Sequence, residues 1–160
     1  MTDTAARLRS SENPYLAGNF APVADELTAF DLPVTGTIPA DLEGRWLRNG
    51  PNPREDIDAA THHWFLGAGM VHGVRLRGGS AEWYRNRSVA ATDGPSPNTN
   101  VGGFAGTTWA MVEAGTPPVE LGYELDSLGV NPFGGTLPNG FSAHPKYDPA
   151  TGELHAMAYQ

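Results

Sequence analysis

Apolar and polar positions along the chain alternate in short runs that break every few residues at glycine or proline. Met70, His72, Val74 and Leu76 alternate with Val71, Gly73 and Arg75, the two-residue period of an extended strand. Gly78-Gly79-Ser80 follows, and glycine reaches positive φ without steric cost, so Ala81 to Arg87 is predicted to return as the second arm of a tight hairpin. The same reading predicts strands at Arg45 to Asn49, closed by Gly50-Pro51-Asn52-Pro53, and at Asn98 to Val101, Thr107 to Glu113 and Val119 to Glu124. Gly102-Gly103 and Gly115-Thr-Pro-Pro118 punctuate them. Asp31 to Ile38 is expected as an outer strand, Ala24 to Phe30 as a short helical turn, Glu55 to Thr61 as an acidic loop and Asp126 to Pro138 as a long glycine-rich loop. Residues 1 to 12 are polar and expected to fray, and 1–35 reads as an irregular extended arm laid over residues 36–160.

The last stretch has the densest pattern. Phe141 to His144 can be extended, and Pro145 biases His144 toward β or polyproline dihedrals while removing the next backbone donor. An imidazole at a strand end is the expected result. Asp148-Pro-Ala-Thr-Gly152 has the composition of a tight turn, and Glu153 to Tyr159 is predicted to return as a strand.

Twenty glycines and fourteen prolines among short β-rich runs indicate many turns and few long helices, an all-β class. The net charge of −8 disfavours a nucleic-acid partner, whose phosphates such a surface repels. Without cysteine there is no disulfide framework, thiolate metal site or thiol nucleophile, in agreement with a cytoplasmic location. The amino terminus lacks the apolar core of a secretory signal, and the Trp64 to Val71 run is too short and glycine-rich to span a bilayer. A peripheral membrane contact remains compatible with this composition. Gly67-Ala-Gly69 lacks the third glycine of a dinucleotide fingerprint and leads into a strand instead of following one.

Ser142-Ala-His144-Pro-Lys-Tyr-Asp148-Pro-Ala-Thr-Gly152-Glu-Leu-His155 resembles the first iron-ligand segment of the carotenoid cleavage oxygenases, which include apocarotenoid oxygenases and lignostilbene dioxygenases. Leu42-Glu-Gly-Arg-Trp-Leu-Arg-Asn49-Gly50-Pro51-Asn-Pro53 and His63-Trp-Phe-Leu-Gly67-Ala-Gly69-Met70-Val-His72-Gly-Val-Arg75 also resemble that family. So do Asn98-Thr-Asn-Val101, Met111-Val-Glu-Ala-Gly-Thr-Pro117 and Gly134-Gly-Thr-Leu-Pro138. The resemblance runs through residues 13 to 159 in the family's order. Ala68 stands where the family pattern usually has aspartate, and the Arg87 to Asn98 connection is shorter than in many relatives.

The resemblance implies a seven-bladed β-propeller, of which 160 residues at about 40 to 50 per blade supply three or four blades, so a partial chain is expected. It further implies a non-haem dioxygenase that uses Fe(2+) and O2 to cleave a conjugated C=C bond of an apolar carotenoid, apocarotenoid or stilbene into two carbonyl products. His144 is then a metal ligand, the first of four histidines, and the other three, with the glutamates that orient ligand rings, are expected beyond Gln160. The alternative is a non-catalytic propeller remnant or binding module.

Read without the family, a lone strand histidine is more often a structural hydrogen-bonding group than a ligand. His72 shares a strand face with apolar neighbours and is expected to be buried and hydrogen-bonded, and His155 to be structural or exposed. His62 and His63 are adjacent and point to opposite faces in a strand, which disfavours a His62/His63/His72 metal cluster.

Overall fold

The computed structural model describes residues 13–54, 57–90, 94–113, 116–137 and 140–158. The expected fraying of residues 1–12, and the end of the return strand at Tyr159, lie outside them. The described residues form strands, turns and two single-turn 3-10 segments, Pro14–Leu16 and Gly18–Phe20. The all-β expectation holds.

Four strands make the first sheet: β1 (Thr28–Phe30), β2 (Gly44–Asn52), β3 (Ala68–Arg77) and β4 (Ser80–Ser88), antiparallel in the order β1-β4-β3-β2. Gly78 (φ 52°) and Gly79 (φ 80°) make the β3–β4 turn as predicted. The second sheet is a meander of β5 (Asn100–Phe104), β6 (Thr107–Met111), β7 (Val119–Leu121) and β8 (Ser127–Val130). A two-stranded hairpin of β9 (Lys146–Asp148) and β10 (Glu153–His155) follows, its turn closed by a hydrogen bond from the Gly152 amide to the Asp148 carbonyl at 2.9 Å.

These are two four-stranded blades and the opening hairpin of a third, fewer complete blades than the length predicts, because the arm and its crossing occupy the chain up to Gly44. The first interblade core joins Val71, Trp83 and Val89 to Ala110, Val119, Leu121 and Leu125. The second joins Trp109 and Met111 to Phe141 and Ala143. Each blade buries one apolar face against the next, the stacking that a propeller repeats around its axis.

Several expectations are corrected. Asp31 to Ile38 is not a strand: Asp31 takes a positive φ of 53° and turns the chain away, so the outer strand is β1, just upstream, within the stretch expected as a helical turn. Pro51 does not close β2. It pairs with Gly69, and β2 is a sheet edge, where a missing N–H is tolerated. Gly102 and Gly103 lie inside β5 and pair with Trp109 and Thr108, while the turn falls at Ala105 (φ 51°) and Gly106 (φ 82°). The loop expected from Asp126 contains β8, which adds to β7.

Candidate functional site

His144 is not on a strand: it sits in a bend just before β9, and the return strand ends at His155. Four attachments place it. Phe141 and Ala143 are buried in the second interblade core, where Phe133 meets Trp109 edge to face at 4.2 Å between ring centres and approaches Phe141 at 5.0 Å. The Phe141 amide donates to the Thr116 carbonyl at 3.3 Å. The His144 amide donates to Ser142 Oγ at 3.2 Å. Asn100, opening β5, donates from Nδ2 to the Ala143 carbonyl at 2.7 Å. Asn49 of β2 donates to the carbonyls of Pro97 and Asn100 at 2.9 and 3.0 Å. Asparagine amides thus step from β2 to β5 to the residue before His144.

The imidazole itself is exposed, and its Nε2 lies 3.1 Å from Glu113 Oε1. Glu113 follows β6, whose Trp109, Ala110 and Met111 are buried. The sequence reading does not join Glu113 to His144, and the structure sets them face to face. The signal for Glu113 was present in Met111-Val-Glu-Ala-Gly-Thr-Pro117, but nothing in the spacing joins positions 113 and 144. Imidazole nitrogen and carboxylate oxygen are suitable donors for ferrous iron. Among the described residues, however, no three His, Asp or Glu side chains converge as a metal site. His144 presents an exposed imidazole whose Nε2 faces a carboxylate, two donor types compatible with such a metal.

The other histidines have separate roles. His72 is half-buried on β3, with Nδ1 2.8 Å from the Tyr84 hydroxyl, the hydrogen-bonded role expected of it. Burial, and then the neighbouring Arg48, hold its pKa below the ordinary histidine value, while burial pushes the Tyr84 phenol up against the opposing pull of Arg48. His63 lies against Tyr15 and Phe65 at 5.3 and 5.4 Å between ring centres, whereas His62 lines the cavity that His72 also lines. His155 is exposed beside Glu153 at 3.5 Å. Ala68 opens β3 opposite Asn52, so no aspartate is required for that pairing.

The family model described as retinal pigment epithelial membrane protein matches residues 20–94 and 88–160. The chain belongs to this family, the carotenoid cleavage oxygenases. It is 53% identical over 176 residues to the carotenoid cleavage oxygenase of Mycobacterium tuberculosis, covering 98% of this chain and 35% of that protein. The lignostilbene dioxygenase of Pseudomonas brassicacearum superposes with a TM-score of 0.83 at 29% identity, over 93% of this chain and 37% of the other. A cobalt-substituted apocarotenoid oxygenase of Synechocystis matches with a TM-score of 0.68 at 26% identity, over 80% of this chain and 34% of that one. The chain thus spans little more than a third of the relatives it matches, and its two blades are the N-terminal part of a carotenoid oxygenase propeller.

Proposed function

We propose that this chain provides the first blades and the first metal ligand of an iron-dependent dioxygenase that cleaves a conjugated C=C bond of a carotenoid, apocarotenoid or stilbene. The observation that carries this reading is His144, presented by a buried segment with an open ring facing a carboxylate, inside a chain 53% identical to a carotenoid cleavage oxygenase. When bound, ferrous iron supplies the site at which O2 is activated.

The contribution of this chain's own residues is positional. Phe141 and Ala143 fix the segment in the interblade core, Asn100 holds the carbonyl before His144, and Pro145 restricts the backbone after it. His144 binds as a neutral imidazole and moves no proton. Glu113 orients the ring before loading. The lipid-soluble substrate suits a cytoplasmic protein with a peripheral membrane contact, and the exposed Trp64, Phe65 and Leu66 offer an apolar surface for it. No helix of the described residues is long and apolar enough to cross a membrane.

A second reading concerns the 160 residues alone. In it the isolated chain acts as a non-catalytic propeller segment or binding module. Iron content and oxygen-dependent alkene cleavage, measured on this chain and on a longer reading frame containing it, separate the two. Iron and turnover in the longer chain, both lost in His144→Ala, support the oxygenase; unchanged iron and turnover in that variant refute the ligand assignment.

A further inference from the structure

A cavity of about 450 Å³ opens between the N-terminal arm and the far end of β2. The oxygenase reading assigns it no ligand. The β2–β3 ladder sets Arg48 directly opposite His72, a pairing that brings Cβ atoms to about 5 Å, and both side chains line the cavity. His72 Nδ1 is taken by Tyr84. With the Tyr84 hydroxyl as donor to Nδ1, the ring proton sits on Nε2, which then offers a second donor. Nε2 has no partner of its own among the described residues.

Arg48 also lacks a hydrogen bond or ion pair among the described residues, which sets it apart from its neighbours. Arg75 pairs with Glu82, Arg85 with Glu124 and Arg87 with Asp126, while Arg45 donates to Thr108 and the Tyr123 carbonyl. Of the arginines on these strands only Arg77, at the exposed hairpin end, shares this lack. In a chain with 18 Asp and Glu against 10 Lys and Arg, the cavity wall contains no acidic residue at all among those described. The same cavity is lined by aromatic rings: Phe20 and Trp64 meet nearly edge to face at 4.4 Å, and Tyr15 approaches Trp64 at 6.1 Å.

A forked cation, a neutral N–H donor, an aromatic wall and no carboxylate together specify a ligand class. We propose that this cavity binds a small aromatic carboxylate, its carboxylate held by Arg48 and the His72 Nε2–H and its ring against Phe20 and Trp64. The guanidinium fork matches a carboxylate with two parallel hydrogen bonds, and the volume falls within the range of small-molecule sites. Phe20, Arg48, Trp64 and His72 all precede the second blade, so the proposal stands or falls independently of the iron-ligand reading.

Benzoate is the probe. Calorimetric titration of the 160-residue chain with benzoate at neutral pH is expected to give saturable one-site binding. Arg48→Met should weaken it about tenfold or more, the scale of a lost charged hydrogen bond. Arg48→Lys should restore part of the affinity, and benzamide, with the same ring and no charge, should fail to compete. Arg48 is exposed, so its variants keep the fold, which circular dichroism verifies. Absence of saturable binding, wild-type affinity in Arg48→Met, or benzamide binding as well as benzoate would each overturn the proposal.

Discussion

His144 Nε2 stands 3.1 Å from Glu113 Oε1, although 63% and 40% of the two side chains remain exposed. A polar contact so open to water contributes at most about 1 kcal/mol to folding. The contact therefore does little for stability, in keeping with the ring-orienting role proposed for Glu113. His144→Ala and Glu113→Gln are expected to shift the melting temperature of the 160-residue chain by less than about 4 °C. A larger loss, seen by calorimetry, would make His144 a structural residue instead.

Asn100→Ala should behave differently. It removes the 2.7 Å bond to the carbonyl of fully buried Ala143 and leaves that oxygen without its partner, at a cost of about 1 to 3 kcal/mol. Urea denaturation is expected to show this loss, and hydrogen exchange should rise at Phe141 and His144 before it rises in β3. Protection unchanged at those two amides would remove Asn100 from the positioning of His144.

Acid should weaken the fold through His72. Its native pKa lies below the ordinary value, from burial first and Arg48 second, whereas the unfolded chain titrates near about 6.5. Between these values the unfolded state binds more protons, so stability rises with pH across that interval and levels off above it. His62, displaced the same way by burial and then His63, adds to the slope. Urea midpoints from about pH 5 to 7 should climb in the wild type and climb less in His72→Gln; equal slopes would acquit His72.

Two glycines of β3 test the packing. A Cβ on Gly69 would fall 2.1 Å from the Pro97 carbonyl oxygen, which is backbone and cannot rotate aside. One on Gly73 would meet the tips of Leu47 and Leu125 at 2.8 and 3.0 Å, and those can shift. Gly69→Ala should cost about 3 kcal/mol or more and Gly73→Ala about 1 to 2 in chemical denaturation. The reverse order would mean that the Pro97 segment yields more readily than the interblade core.

The local pattern determined a good deal. Alternation along Met70 to Leu76 and the Gly78-Gly79 pair are sufficient for the β3–β4 hairpin, and Asp148 to Gly152 for the β9–β10 turn, because period and turn chemistry act within a few residues. The motif around His144 was likewise legible as a contiguous string. Strand limits were less so: Pro51 stays in β2 only because that strand is an edge, and Asp31, of a residue type that tolerates positive φ, turns where the run was expected to extend.

The sequence by itself determined the β class and the hairpins, since each rests on neighbours in the chain, while His144 as a ligand candidate came from the family resemblance of its segment. Only the tertiary structure decided that Glu113 faces His144, that Asn49 and Asn100 carry a hydrogen-bonded path to it, and that Arg48 meets His72. Those pairings depend on how blades stack and which register their strands take. Register is fixed by burying whole apolar faces together, a condition that no single stretch of sequence contains.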